Sequence, residues 1–95
     1  MLPEKKVENQ IKKYLLSLNA YFIKTVGGSV AAGTPDIIAC VNGFFVGIEV
    51  KRPEGGKVSE LQKNHLKRIV QSGGFAFIAT SKEEVKDYLS RQRII

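Results

Sequence analysis

The dipeptide Asn42-Gly43 separates two apolar stretches rich in β-branched and aromatic residues, and it constrains the fold more than any other feature of the chain. Asn-Gly between such stretches is the strongest short-range signal for a β-hairpin closed by a two-residue type I′ turn. Counting outward from this turn places Asp36 opposite Glu49 in a non-hydrogen-bonded pair, whose Cα atoms lie only about 4.5 Å apart. Alternation along the second strand then puts Lys51 on the same face as Glu49.

Two carboxylates that face each other at the end of a hairpin repel each other. Their repulsion must be offset by protonation, by solvent or by a cation. Asp36 and Glu49 stand at the shared end of strands that are otherwise apolar, with Lys51 beside them. Oxygen ligands in this arrangement suit Mg²⁺, which typically takes one or two carboxylates and also binds substrate phosphate oxygens. The hairpin end therefore predicts a divalent metal site with a lysine next to it.

These residues also form a recognisable motif. The segment 33–36, Gly-Thr-Pro-Asp, followed on the next strand by Glu49-Val50-Lys51, resembles the signature of the PD-(D/E)XK nucleases, and its GxPD form in a short chain is most similar to a stand-alone VRR-NUC domain. The resemblance implies an endonuclease that hydrolyses DNA phosphodiester bonds with Mg²⁺ or Mn²⁺ as cofactor. It implies that Asp36, Glu49 and the backbone carbonyl of Val50 hold the metal. Lys51 would orient the attacking water or help to deprotonate it.

Two further residues have one interpretation from the sequence and another from the resemblance. Glu8 lies one helical turn before Lys12, which favours a solvated ion pair, whereas the resemblance implies a metal-associated carboxylate on the first helix. Gln62 follows Ser59 at capping-box spacing, which favours a bond to the start of a helix. The resemblance implies instead that Gln62 is a catalytic residue that orients water or substrate near Lys51.

Hydrophobic periodicity and turn residues predict the element order αβββαβα in a single domain over residues 1–95. This is the order of the α/β restriction endonuclease-like core, a mixed central sheet flanked by helices. Because the hairpin strands are apolar on both faces, we expect them to be central and covered on both sides. The other predicted elements are a helix over 3–18, a strand over 21–25, a glycine-rich loop over 26–34, a loop over 52–58, a helix over 59–72, a strand over 75–79 and a last helix from Ser81.

The charge balance favours a polyanionic partner. Fifteen Lys and Arg residues against nine Asp and Glu residues give a formal charge of +6, which is typical of domains that bind nucleic acid or an anionic surface. No apolar stretch approaches the roughly 18 residues of a membrane span, and the N-terminus lacks a signal-peptide pattern. Cys40 is the only cysteine, so we expect a reducing, cytoplasmic setting with no membrane partner and no small-molecule cofactor. The candidate phosphate contacts are Lys24, Arg52, Lys57, Lys63 and Lys67.

The small size of the domain leaves little surface to grip a duplex, which favours a symmetric homodimer. Small stand-alone relatives resemble junction-resolving enzymes, so branched DNA such as a four-way (Holliday) junction is the predicted substrate. The alternatives are a non-catalytic nucleic-acid-binding or interaction module, and a restriction-like or RNA-directed nuclease. Asp36, Glu49 and Lys51 argue against a module, because binding alone needs no clustered acids.

Overall fold

The computed structural model describes residues 3–95, which form a four-stranded sheet and three helices. The strand order is β1-β2-β3-β4, with antiparallel neighbours except for the parallel pair β3–β4. The predicted order αβββαβα and the mixed sheet flanked by helices are confirmed. Within the described residues, no helix is long and apolar enough to span a membrane. The elements are α1 (Glu4–Ser17), β1 (Tyr21–Lys24), β2 (Ile37–Val41), β3 (Phe44–Val50), α2 (Glu60–Gln71), β4 (Phe75–Ala79) and α3 (Lys82–Arg91).

The hairpin turn has the backbone conformation that its sequence predicts. Asn42 and Gly43 both have positive φ, 51° and 87°, as a type I′ turn requires. The side-chain amide of Asn42 donates a hydrogen bond to the carbonyl oxygen of Ile94 at 2.7 Å, which ties the turn to the C-terminal segment. The pairing of β2 with β3 follows the predicted register throughout. One step beyond the ladder, this register brings Asp36 beside Glu49.

The main core lies between one face of the sheet and the helices α1 and α3. Apolar residues at four-residue spacing on α1 form a single stripe, which is why that helix buries one side. The alternate residues of β2 and β3 that point toward these helices are buried except for Phe44 beside the hairpin turn, which is 43% exposed. The core residues from these elements are Val7, Ile11, Leu15, Ile37, Ala39, Val41, Val46, Ile48, Val50, Val85 and Leu89.

The opposite face of the sheet is only partly covered, so the prediction that the hairpin strands are buried on both sides was wrong. Helix α2 packs over β3 and β4, where the side chain of Ile69 lies against Gly47. Toward β1 the same face is open, and Tyr21, Ile23 and Phe45 are 75%, 50% and 49% exposed. A helix is about 10 Å wide and strands lie about 4.8 Å apart, so one helix covers only about two strands.

The glycine-rich loop over 26–34 is seated on the start of α2 through Gly33. Its φ is +89°, a conformation that favours glycine, and a Cβ built at this position would lie 2.8 Å from the backbone carbonyl of Leu61. The loop then continues directly into Pro35 and Asp36. The contact of Gly33 with α2 therefore helps to fix where the second strand begins.

We predict that Gly33→Ala destabilises the domain more than Gly28→Ala, which is its matched control. Both glycines have φ +89°, so both variants carry the cost of about 1 kcal/mol or more for a left-handed alanine. Among the described residues, nothing lies within 4 Å of a Cβ built at Gly28. The clash with Leu61 should add about 1–3 kcal/mol at Gly33. Urea unfolding measures both losses, and equal values would contradict a tight seat on α2.

Candidate active site at the end of the hairpin

At the end of the β2–β3 ladder, the side chain of Asp36 accepts a hydrogen bond that a backbone carbonyl would otherwise accept. The N–H of Val50 donates to Asp36 Oδ2 at 2.8 Å. The next N–H along the strand, that of Lys51, donates to the carbonyl of Ala79 on the other side at 3.0 Å. Because the N–H and C=O of one strand residue face the same neighbour, the carbonyl of Val50 points toward the side on which Asp36 lies. A carboxylate and a backbone carbonyl thus converge there.

Glu49 is a buried carboxylate with one unsatisfied oxygen. The residue is 1% exposed. Its Oε2 accepts a hydrogen bond from Gln62 Nε2 at 2.8 Å and lies 3.5 Å from Lys51 Nζ. Its Oε1 is buried and accepts no hydrogen bond from any residue in the described range 3–95. Leaving such an oxygen unpartnered is costly, and a cation at this position would satisfy it.

The surroundings of Glu49 also favour its protonated form. Burial and the nearby charge of Asp36 together raise the pKa of Glu49 to about 7, although Lys51 acts in the opposite direction. Near neutral pH the carboxyl is therefore partly protonated in the absence of a metal. Since metal ligands must be deprotonated, a divalent ion would displace this proton. The oxygen donor set and the orphaned Oε1 both fit a hard divalent cation.

Glu8 is held by lysines on the side of the site formed by α1. Its carboxylate lies 3.2 Å from Lys5, 3.2 Å from Lys12 and 3.3 Å from Lys24. Burial acts to raise the pKa of Glu8, but the three ammonium groups outweigh it and leave the pKa below its usual value. The ion pair with Lys12 that the spacing predicts is present. The metal-associated role of Glu8 stays a prediction.

The three predicted carboxylates do not form one cluster. Across residues 3–95, no three Asp, Glu, His or Cys side chains lie close enough together to hold a metal ion. Lys24 Nζ lies between the two parts, 3.3 Å from Glu8 Oε1 and 3.7 Å from Asp36 Oδ1. Glu8 is thus separated by one ammonium group from the hairpin pair Asp36 and Glu49.

Gln62 makes the capping contact that its spacing predicts and a second contact to Glu49, while its catalytic role stays a prediction. Its Oε1 accepts from the backbone N–H of Ser59 at 2.9 Å, which completes the capping box at the start of α2. Its Nε2 donates to Glu49 Oε2 at 2.8 Å. A carboxamide carries an acceptor and a donor at its two ends, so one side chain can do both. The N-terminus of α2 therefore holds Glu49 in place.

The structure groups some of the predicted phosphate contacts and separates others. Lys51, Arg52 and Lys57 line one surface cavity of about 500 Å³ near the N-terminus of α1. Lys63 and Lys67 lie one turn apart on exposed positions of α2, where Lys63 pairs with an exposed glutamate of its own helix. The basic side chains that contact the hairpin carboxylates are those of Lys24, beside Asp36, and Lys51, beside Glu49.

Comparison with solved structures shows which known domains this fold resembles. One solved structure, described as a VRR-NUC domain, is 25% identical and matches with a TM-score of 0.75, covering 93% of this chain and 94% of that chain. A second, described as a VRR-NUC domain protein, is 18% identical with a TM-score of 0.77, covering 96% of this chain and 88% of that one. This chain has the fold of a VRR-NUC domain. The fold is thus of a nuclease type. Neither a family model nor a curated protein matches the sequence.

The sequence did not predict the surroundings of Lys24 in this VRR-NUC-type fold. It was expected to contact phosphate, yet its ammonium group faces Glu8 and Asp36. A usable signal was present, because alternation along β1 puts Lys24 on the same face of the sheet as Phe22, the face that α1 covers. What the sequence could not give was the position of Glu8 above that strand.

We predict that the metal-free VRR-NUC-type domain loses stability as the pH rises from about 5 to about 8. A carboxyl whose pKa rises on folding from 4.5 to about 7 binds more protons in the native state than in the unfolded state between those values. Its contribution is fully present below the unfolded pKa and is lost as the pH rises through the folded pKa. The free energy of unfolding should fall by on the order of 2 kcal/mol. Urea unfolding in EDTA at several pH values measures this decline.

Glu49→Gln is the control for that titration. The variant keeps an oxygen for Gln62 but cannot ionise, so the decline between about pH 5 and about pH 8 should largely disappear. A wild type and a Glu49→Gln variant with the same pH dependence would contradict the assignment to Glu49.

A comparison of Gln62→Ala with Ser59→Ala separates the two contacts of Gln62. Both variants lose the capping box and should lose about 1 kcal/mol of stability. Only Gln62→Ala removes the donor to Glu49 Oε2, and a hydrogen bond to the charged form of a carboxyl lowers its pKa. NMR titration of the Glu49 carboxyl should therefore give a higher pKa in Gln62→Ala and the wild-type value in Ser59→Ala. Equal pKa values of Glu49 in the two variants would mean that Gln62 acts as a helix cap alone.

Proposed function

We propose that this domain is a divalent-metal-dependent endonuclease that hydrolyses the phosphodiester bonds of DNA. The observation that carries the proposal is the buried, unpartnered Oε1 of Glu49, which lies in a carboxylate pair with Asp36. A structural ion pair would leave no such oxygen free, and a surface cluster would not be buried. A site that holds an unpartnered carboxylate oxygen, with a second carboxylate and a lysine beside it, suits phosphodiester chemistry.

The proposed metal ligands are Asp36, Glu49 and the backbone carbonyl of Val50, whereas Glu8 is a nearby carboxylate on the far side of the Lys24 ammonium group. These are all oxygen donors, which suit Mg²⁺ or Mn²⁺ rather than zinc or copper. Bound there, such an ion supplies Lewis-acid stabilisation of the phosphate charge and a lowered pKa for an attacking water. The protein itself supplies the fixed positions of the ligands, through the β2–β3 register and through the Gln62 contact to Glu49.

Lys51 is the proposed catalytic cation. Its Nζ lies 3.5 Å from Glu49 Oε2, and its side chain is 15% exposed, so it is fixed at the mouth of the site. An ammonium group in this position can donate a hydrogen bond to the attacking water and can offset negative charge that develops on the phosphate. Since Lys51 also lines the cavity that contains Arg52 and Lys57, it connects the site to the proposed phosphate contacts.

Arg52 and Lys57 are the proposed contacts to the phosphates that flank the scissile bond. Such contacts position a nucleic acid without reading its sequence. Lys63 and Lys67 on α2 would extend this contact along the backbone. The formal charge of +6 supports a polyanionic substrate.

Branched DNA bound by a homodimer is the proposed substrate and assembly. The open part of the sheet, with Tyr21, Ile23 and Phe45 exposed, supports association, because contiguous apolar surface often marks an interface. A two-fold symmetric dimer would present two sites, one for each of two strands at a junction.

The test compares cleavage of a labelled four-way DNA junction, a linear duplex and an RNA of the same sequence. Wild type, Asp36→Asn, Lys51→Met and the control Asp87→Asn are assayed with Mg²⁺, Mn²⁺ or EDTA. Asp87 pairs with Arg91 on the solvent-exposed side of α3 and is not among the residues proposed for the chemistry. We expect cleavage with either metal, none in EDTA, and losses of about 10²-fold or more in Asp36→Asn and Lys51→Met.

Each outcome of this assay decides between the proposals. Paired cuts across the junction, together with a dimer by sedimentation, would support the junction-cleaving assembly. Cleavage of linear duplex alone would retain the nuclease and reject junction selectivity, and cleavage of RNA alone would make the enzyme RNA-directed. If the wild type binds these substrates but cuts none of them with either metal, the domain is a binding module and the catalytic proposal fails.

A further inference from the structure

Lys24 forms the link between the α1 side of the site and the hairpin. Its Nζ lies 3.3 Å from Glu8 Oε1 and 3.7 Å from Asp36 Oδ1. The Glu8 side chain is only 8% exposed and that of Lys24 is 34% exposed, so the contact is partly shielded from solvent. Ion pairs in such surroundings are screened much less than those on the surface.

The two oxygens of Asp36 have different partners. Oδ2 accepts the backbone N–H of Val50 at 2.8 Å, whereas Oδ1 is the oxygen that Lys24 approaches. Glu49 Oε1 is not reached by Lys24, since it is buried without a hydrogen-bond partner in the described chain. An ion bound between Asp36 and Glu49 and an ion bound between Asp36 and Glu8 would thus meet different obstacles. Only the second would have to displace the ammonium group of Lys24.

The α1 side of the site also carries an excess of positive charge. One carboxylate, Glu8, is surrounded by the ammonium groups of Lys5, Lys12 and Lys24. A divalent cation approaching Glu8 would meet these like charges at short range. Of the three lysines, the structure places Lys24 alone in contact with Asp36 as well.

We propose that Lys24 is a positioning residue that occupies the space between Glu8 and Asp36 and restricts the domain to one divalent ion, held at Asp36 and Glu49. The inference rests on the proposed function, because it concerns the same metal site. It assigns to Lys24 a role in metal stoichiometry in place of the predicted phosphate contact. Glu8 then acts as the anchor of Lys24 and becomes a metal ligand only when Lys24 is removed.

The test counts Mn²⁺ ions bound to the full chain, by calorimetry and by the EPR signal of free Mn²⁺. Lys24→Met keeps the apolar stem and removes the charge. The matched control is Lys12→Met. Lys12 lies 3.2 Å from Glu8, about as close as Lys24 at 3.3 Å, but it is not paired with Asp36. We expect one ion in wild type and in Lys12→Met but two in Lys24→Met, because removal of the Lys24 charge should strengthen binding at the second position about tenfold or more.

A double variant identifies where the second ion binds. Lys24→Met combined with Glu8→Gln should return the count to one, since the second ligand is then neutral. Circular dichroism of each variant checks that the fold is retained. Lys51→Met serves as a further comparison, because it removes a charge beside Glu49 and should leave the count at one.

The outcomes separate this inference from the proposed function. Two ions already bound in wild type, or one ion of equal affinity in wild type and Lys24→Met, would overturn the role of Lys24 and leave the metal-dependent nuclease intact. If Lys12→Met also binds a second ion, any loss of positive charge near Glu8 has the same effect, and the specific role of Lys24 is overturned. If no variant binds Mn²⁺, both the metal site of the proposed function and this inference are rejected.

Discussion

The closeness of two carboxyl groups at the end of the hairpin is the constraint on which the rest of the site depends. The β2–β3 register brings Asp36 beside Glu49, and the burial of Glu49 removes most of the water that would otherwise screen the pair. Several contacts stabilise this pair of carboxyl groups. Val50 donates to Asp36, Gln62 donates to Glu49, and Lys51 lies near Glu49. These contacts still leave Glu49 Oε1 without a partner in the described chain. The site is thus electrostatically incomplete by itself.

This incompleteness links stability with chemistry. A well-packed apolar end to the hairpin would give a more stable domain, because a buried carboxyl with a raised pKa weakens the native state when it ionises. Such unfavourable local arrangements are typical of functional sites, where the cost is offset by the rest of the fold. Here the offset comes from the core between the sheet and the helices α1 and α3, which lies on the other side of the sheet from Glu49 and Lys51.

The sequence predicted those parts of the molecule that local rules control. Asn42-Gly43 dictates a turn, and the turn dictates a register, so the pairing of Asp36 with Glu49 followed from counting. The open half of the second sheet face could not be predicted, because it depends on how far a single helix reaches across strands. The contact of Lys24 with Glu8 likewise depends on how α1 docks. The spacing of Gln62 from Ser59 predicted the helix cap. The hydrogen bond from Gln62 to Glu49 could not be predicted, because it depends on how close the start of α2 lies to β3.

The close packing of Gly33 against Leu61 links the chain segments that carry the two carboxylates. Leu61 precedes Gln62, which bonds Glu49, and Gly33 precedes Asp36 by three residues. The two chain segments that carry the acids therefore meet twice, at the hairpin turn and again on α2, and they form a closed mechanical loop around the site. The spacing of the acids is fixed from both ends. The tip of the glycine-rich loop lies outside this closed loop, so its length and sequence are free to diversify while the acids stay in place.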